Sequence, residues 1–107
     1  TDHLLLIETN IDDSSPQTLG FVMERAFETG ALDCWFTPIQ MKKNRPATQI
    51  SILCAPDKRE VLTGLLYTET STLGVRVSEI ERGCLPRETV EIETKFGAVD
   101  VKIARYD

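Results

Sequence analysis

The apolar residues of this chain fall into segments whose spacing switches between the two-residue repeat of a strand and the roughly 3.6-residue repeat of a helix. The order of these segments is strand, helix, strand, strand, helix, strand, and a hairpin follows the last strand. This order is typical of an α+β domain with a ferredoxin-like split βαβ fold (β-α-β-β-α-β), here extended by a C-terminal β-hairpin.

Turn and cap residues bound the predicted elements. Ser15 can cap the first helix while Pro16 takes its first position, and Gly30 supplies the left-handed stop. We predict strands at 3–11, 31–41, about 49–54 and about 75–81, helices from Pro16 to about Thr29 and from Pro56 to the 69–74 segment, and a hairpin over about 90–103.

Each helix should bury one face, because apolar residues recur on it at helical spacing. We expect the following residues to be buried: in the first helix Leu19, Val22, Met23, Ala26 and Phe27, and in the second Val61, Leu62, Leu65 and Leu66.

The second strand contains Pro38, which cannot donate a ladder hydrogen bond, so this strand is expected at a sheet edge. A ferredoxin-like sheet covers one face with its two helices, yet Trp35, Ile39 and Met41 add apolar bulk to the other face. Either the terminal hairpin or another subunit should cover that surface, and we expect a homo-oligomer.

At 107 residues the chain is long enough for one domain. Its net charge of -5 argues against a nucleic-acid backbone as partner, since a broad basic face would be needed. The odd and widely spaced Cys34, Cys54 and Cys84 form neither a disulfide framework nor a zinc pattern, which favours a reducing compartment. With no membrane-spanning or signal segment apparent in the sequence, we expect a cytoplasmic protein that does not bind a membrane.

The turn between the second and third strands places Lys42, Lys43 and Arg45 within four residues. Two ammonium groups, a guanidinium fork and the Asn44 amide suit a bound anion, and phosphate is the common one. The alternative is a solvated hairpin tip.

Polar residues also occupy two other connections. Asp12 and Asp13 can either complement the positive end of the first helix or, with Asn10 nearby, bind Mg²⁺ or Mn²⁺ together with nucleotide phosphates. The hydroxyls of Thr70, Ser71 and Thr72 can donate to a phosphate or sugar, or can close the second helix through local hydrogen bonds.

Several linked segments resemble the C-terminal region of the LarC-type nickel insertion family. They are Glu8–Asp13, Gly30–Asp33, Phe36–Pro46, Glu69–Arg76 and Leu85–Glu88, and their order and spacing agree along nearly the whole chain. The resemblance implies a nickel insertase, a chelatase or cyclometallase of the lyase class, that uses CTP to insert Ni²⁺ into pyridinium-3,5-bisthiocarboxylic acid mononucleotide, a nickel-pincer cofactor precursor.

The resemblance further implies that residues 1–107 form the C-terminal CTP-binding domain of a longer protein with an N-terminal region. It assigns CTP binding to Lys42, Lys43, Arg45, Thr70, Ser71, Thr72 and Arg76, and divalent-cation binding to Asp12 and Asp13. The chain departs from the family pattern at Gln17, where an acidic ligand is absent.

The sequence offers no convergent nitrogen and sulfur donors for Ni²⁺, so we expect nickel to be bound by the substrate's sulfurs or by the N-terminal region. The alternative function is a non-catalytic ferredoxin-like ligand-binding or oligomerisation module.

Overall fold

The computed structural model describes residues 2–106 and contains the predicted elements in the predicted order. Their bounds are β1 (Asp2–Ile11), α1 (Pro16–Glu28), β2 (Asp33–Met41), β3 (Arg45–Cys54), α2 (Arg59–Glu69), β4 (Arg76–Arg82), β5 (Arg87–Thr94) and β6 (Gly97–Ala104). Short 3₁₀ turns at Lys42–Asn44 and Pro56–Lys58 precede β3 and α2. The second α-helix therefore begins at Arg59 rather than at Pro56.

The four-stranded sheet has the strand order β2-β3-β1-β4, and each neighbouring pair is antiparallel. β1 and β2 consequently run in the same direction on either side of β3, with α1 as their crossover. This topology confirms the ferredoxin-like prediction. β2 is an edge strand, as Pro38 required, and Pro38 lies opposite Thr48 of β3.

The hydrophobic core lies between the helices and one face of the sheet. Ile7 and Ile52 are cross-strand partners at its centre, and both are fully buried. Other core residues are Leu5, Ile11, Val22, Ala26, Cys34, Ile50, Cys54, Leu62, Leu65 and Leu66. The predictions for Val22, Ala26, Leu62, Leu65 and Leu66 are therefore confirmed.

Two residues predicted for the buried helix faces are largely exposed: Phe27 by 47% and Val61 by 46%. Each follows or precedes a fully buried residue, Ala26 or Leu62, and a step of one residue turns a side chain about 100° around a helix. Both side chains therefore fall at the margin of the buried stripe, which is narrower than the apolar pattern suggests.

We call the sheet face opposite the helices the open face. It carries the alternate residues of each strand, such as Leu6 on β1 and Leu53 on β3, which are cross-strand partners. Trp35 of β2 also belongs to this face, because its neighbour Cys34 is buried in the core, and the indole remains 39% exposed.

The terminal hairpin forms a separate two-stranded sheet, and it makes few contacts with the rest of the described chain. The hairpin therefore does not cover the open face, which was one of the two expected arrangements. Its own strands alternate, with Val90 opposite Val101 and Ile92 opposite Val99 on one apolar side. Ile92 and Val99 remain exposed, so the domain presents a second apolar surface.

Between residues 2 and 106, neither helix combines the length and the apolar character that crossing a membrane requires.

Candidate functional site

Three connections meet at one end of the four-stranded sheet: the β1–α1 connection, the β2–β3 turn and the α2–β4 loop. Two side-chain contacts join them. The Arg45 guanidinium lies 3.7 Å from the Asp12 carboxylate, and the Ser71 hydroxyl donates to the Asp13 carboxylate at 2.6 Å. The structure thus brings together cations, carboxylates and a hydroxyl from three separate parts of the sequence.

The β2–β3 turn has an unusual backbone. Lys43 and Asn44 both have positive φ angles, 62° and 58°. This left-handed conformation costs about 1 kcal/mol or more for a residue with a side chain, and strain of this kind is concentrated at functional sites. Asn44 is held there by a 2.6 Å hydrogen bond donated by the Gln40 amide. The consequence is that Lys42 and Lys43 both present exposed side chains beside Arg45.

The two aspartates do not cap the first helix. Ser15 fills that role, since its hydroxyl oxygen accepts a hydrogen bond from the Thr18 backbone N–H at 3.1 Å. Asp12 and Asp13 precede this cap and contact Arg45 and Ser71 instead. Their carboxylates are exposed and therefore accessible to a ligand.

A divalent cation at this place would need additional ligands. Across residues 2–106 there is no group of three His, Cys, Asp or Glu side chains arranged to hold a metal ion. Mg²⁺ is commonly bound by one or two carboxylates and completed by substrate phosphates and water. Asp12 and Asp13 fit that mode of binding, and they do not fit a site built by protein ligands alone.

The three hydroxyls of the α2–β4 loop have different local roles. Thr70 donates to the Leu66 carbonyl at 2.6 Å and so closes α2. The Thr72 hydroxyl lies 2.6 Å from that of the buried Thr9 and donates to the Gly74 carbonyl at 2.8 Å, which fixes the loop to β1. Only Ser71 of this group is bonded to an acidic side chain. The structural alternative, closure of α2 by local hydrogen bonds, thus accounts for Thr70, whereas Thr72 joins the loop to β1.

Arg76 lies next to this site on the open face. Its guanidinium donates to the Asn10 side-chain oxygen at 3.4 Å. The Gln49 amide is best oriented with its nitrogen donating to Glu8 at 3.2 Å and its oxygen accepting from Arg76 at 3.1 Å, because this orientation satisfies both ends. We define Glu8, Asn10, Gln49 and Arg76 as the open-face network.

Glu8 and Gln49 were not among the site residues predicted from the sequence. The available signal was that both are polar residues on a side of the sheet that also carries apolar residues such as Leu6 and Leu53. Their meeting depends on register, which places Asn10 opposite Gln49 and Glu8 opposite Arg76. A one-residue slip would turn these side chains to the other face.

The buried cysteines are separate from the site. Burial, together with the nearby Asp33 carboxylate, raises the pKa of the Cys34 thiol to about 11. Burial and, to a smaller extent, Asp57 also raise the pKa of Cys54. Neither thiol is activated as a nucleophile, since a nucleophilic cysteine needs a lowered pKa. Both behave as small core residues, as predicted from the sequence.

Comparison with known proteins gives consistent matches along the whole chain. The family model described as "Nickel insertion protein" matches residues 1–107. A pyridinium-3,5-bisthiocarboxylic acid mononucleotide nickel insertion protein from Thermotoga petrophila is 47% identical over 103 residues, which are 96% of this chain and 26% of the relative. The protein of the same name from Acetivibrio thermocellus is 46% identical over 105 residues, 98% of this chain and 26% of the relative. The chain thus spans about a quarter of the length of these curated relatives.

Two solved structures have the same fold. One is the apo form of LarC2, the C-terminal domain of a cyclometallase involved in the synthesis of the NPN cofactor of lactate racemase. It is 42% identical with a TM-score of 0.89, covering 99% of this chain and 74% of that one. The other, a protein from Methanopyrus kandleri, is 23% identical with a TM-score of 0.74 over 96% of this chain and 67% of its own, and supports the fold alone.

Proposed function

This chain belongs to the nickel insertion protein family, and we propose that it is the CTP-binding domain of a longer enzyme that inserts nickel into pyridinium-3,5-bisthiocarboxylic acid mononucleotide. The name of the relatives supports the reaction, and the LarC2 neighbour supports the position of this domain at the C-terminal end. CTP is proposed as the co-substrate, and an N-terminal region of the same protein as the partner that completes the enzyme.

The observation that carries the proposal is the 3.7 Å approach of Arg45 to Asp12, because it places the cationic turn and the acid pair at one end of one sheet. A triphosphate with a bound divalent cation carries both signs of charge and needs both kinds of partner. Lys42, Lys43 and Arg45 would hold phosphate oxygens, and Asp12 and Asp13 would hold the cation. Ser71 would fix the position of Asp13 through its 2.6 Å hydrogen bond.

The three cationic side chains of the β2–β3 turn have a proposed role in cleavage of the nucleotide. The Arg45 fork and the Lys42 and Lys43 ammonium groups would stabilise negative charge that develops on a departing pyrophosphate. A bound Mg²⁺ or Mn²⁺ would neutralise phosphate oxygens. The other proposed nucleotide contacts are Thr70, Ser71, Thr72 and Arg76.

Nickel is a substrate in this reaction and not a resident metal of this domain. Between residues 2 and 106 no trio of potential metal ligands converges. The two thiocarboxylates of the substrate offer the softer sulfur donors that nickel accepts. We therefore place nickel delivery on the substrate's own sulfurs or on the N-terminal region.

A second candidate function is that of an oligomerisation module without chemistry of its own. The exposed apolar side of the hairpin, with Ile92 44% and Val99 49% exposed, favours it. An isolated two-stranded hairpin is marginally stable in water, so a covering partner is expected. The two candidates are compatible if a homo-oligomer also binds nucleotide.

Calorimetric titration of the full-length protein with CTP in the presence of Mg²⁺ or Mn²⁺ tests the nucleotide site. Lys42→Ala combined with Lys43→Ala should weaken binding by about tenfold or more, because each charge-assisted contact is worth about 1.5–3 kcal/mol. The control Lys95→Ala with Lys102→Ala removes the same charge from the hairpin and should leave affinity unchanged. No binding at millimolar CTP, or equal binding by the two double variants, would overturn the proposal.

A further inference from the structure

A pocket of about 480 Å³ opens at one corner of the four-stranded sheet, and we call it the corner pocket. It is lined by residues 3–5 of β1, residues 79–81 of β4 and Pro56. The two strand segments are paired with each other, and His3 lies opposite Glu81. Pro56 begins the short 3₁₀ turn that precedes α2. The pocket therefore lies between this turn and the paired ends of β1 and β4.

The corner pocket combines apolar and acidic lining residues. Leu4 and Leu5 are nearly buried, at 6% and 7% exposure, whereas Glu79 and Glu81 are exposed. Glu81 faces the exposed His3 imidazole at 3.7 Å, and within residues 2–106 Glu79 forms no salt bridge. None of the described lining residues is a lysine or an arginine. Such a pocket suits a Lys or Arg side chain, which has an apolar stem and a positively charged end.

The corner pocket is separate from the candidate nucleotide site. It lies where β1 begins, and the candidate site lies where β1 ends. From His3 to Asn10 the strand advances by roughly 23 Å, at about 3.3 Å per residue. A partner seated in the corner pocket therefore leaves the other end of the sheet open to a nucleotide.

The position of the domain in its relatives indicates which partner is close to the pocket. The matched segment is 26% of the Thermotoga petrophila protein, and the LarC2 neighbour is a C-terminal domain. In a C-terminal domain of this topology the preceding region connects to β1 at Asp2, the neighbour of His3 in the pocket lining. A segment of that region reaches the pocket without having to cross the domain.

We infer that the corner pocket is the docking surface for a basic segment of the N-terminal region of the same protein. This role rests on the proposed function, which names that region as the partner that completes the enzyme. A single exposed ion pair contributes little to binding. A tethered segment, however, has an effective concentration in the millimolar range, so weak contacts are sufficient to hold it. Pockets of this size also occur preferentially at domain interfaces.

Hydrogen–deuterium exchange of the full-length protein, read by mass spectrometry, tests the docking. Glu79→Lys with Glu81→Lys places positive charges opposite a basic segment. At least one peptide of the N-terminal region should then exchange at least about threefold faster than in the wild type, because undocking removes its protection. Glu79→Gln with Glu81→Gln removes the attraction without adding repulsion and should give a smaller acceleration in the same peptides. The glutamine variant decides the matter if the charge-reversed domain does not fold.

Glu91→Lys with Glu93→Lys is the matched control, because these two glutamates are also exposed and lie two residues apart on one strand. It should leave exchange in the N-terminal region at the wild-type rate. Exchange in β3, which belongs to the core, should be the same in every folded variant. The affinity for CTP should also be the same, since the pocket lies at the far end of β1.

Equal exchange of the N-terminal region in the pocket variants and in the control would overturn the inference. A lower oligomeric mass of the pocket variants by light scattering, with unchanged exchange of the N-terminal region, would also overturn it, because the pocket would then be an interface between copies of this domain. If the wild-type protein binds no CTP, the proposed function fails, and the exchange comparison still decides whether the pocket is a docking surface.

Discussion

The Ser71 hydroxyl donates a hydrogen bond of 2.6 Å to the Asp13 carboxylate, and this contact connects the α2–β4 loop to the connection that follows β1. The loop is anchored a second time by the 2.6 Å contact between the Thr9 and Thr72 hydroxyls. The loop that contacts Asp13 is therefore itself fixed to the sheet.

Ser71→Ala should raise the divalent-cation concentration needed for half-maximal CTP binding by a few fold, equivalent to about 1 kcal/mol, because Asp13 loses its positioning hydrogen bond. The measurement is the concentration of Mn²⁺ that gives half-maximal CTP binding in the full-length protein. Thr68→Ala is a matched control, since Thr68 donates only to the Gly64 and Leu65 carbonyls of α2. If both variants need the same Mn²⁺ concentration as the wild type, Ser71 does not position the cation ligand.

The free energy of unfolding should fall as pH rises from about 9 to 11, in part because burial and Asp33 raise the pKa of Cys34 to about 11. In that interval the unfolded thiol loses its proton while the folded thiol keeps it, so the unfolded state binds fewer protons and is favoured. Below the ordinary pKa of a thiol, the stabilising contribution of the buried Cys34 thiol is fully present. Urea unfolding should show a smaller decline between about pH 9 and pH 11 for Cys34→Ala than for the wild type. Equal declines would contradict the shift.

Substitution on the apolar side of the hairpin should reduce the oligomeric mass of the full-length protein. Ile92 and Val99 are cross-strand partners and are both substantially exposed, so Ile92→Asp with Val99→Lys would place charges in an apolar interface. Light scattering after size exclusion gives the mass. Glu91→Lys with Asp100→Lys, on the polar side of the same strands, is the control and should keep the wild-type mass. A wild-type monomer would contradict the oligomer prediction.

The ferredoxin-like topology was predictable because each element carries its own periodic pattern. Pro38 independently placed β2 at an edge, since a residue without an N–H cannot complete a central ladder. The errors fell at the margins of helices, where Phe27 and Val61 are exposed beside buried neighbours. Local pattern identifies a buried face well but cannot define its width, which depends on how closely the helix packs on the sheet.

The candidate site was predictable in part. Asp12 and Arg45 both stand out as charged residues in connections, but it is the folded structure that brings these two connections to one end of the sheet. Glu8 and Gln49 were not selected, because a single polar residue in a strand is ordinary until its cross-strand neighbour is known. The left-handed conformation of Lys43 was also not predictable, since this residue type rarely adopts it.

The order of the elements, most of the core and the family could be predicted from the chain alone, because these depend on periodic apolar residues and linked segments within it. Only the folded structure shows that Ser71 bonds to Asp13, that Glu8 and Gln49 join Arg76, and that the hairpin lies apart from the open face. The reason is that these relationships depend on strand register and on the packing of distant loops, and a register shift of one residue would reverse the faces without changing any local pattern.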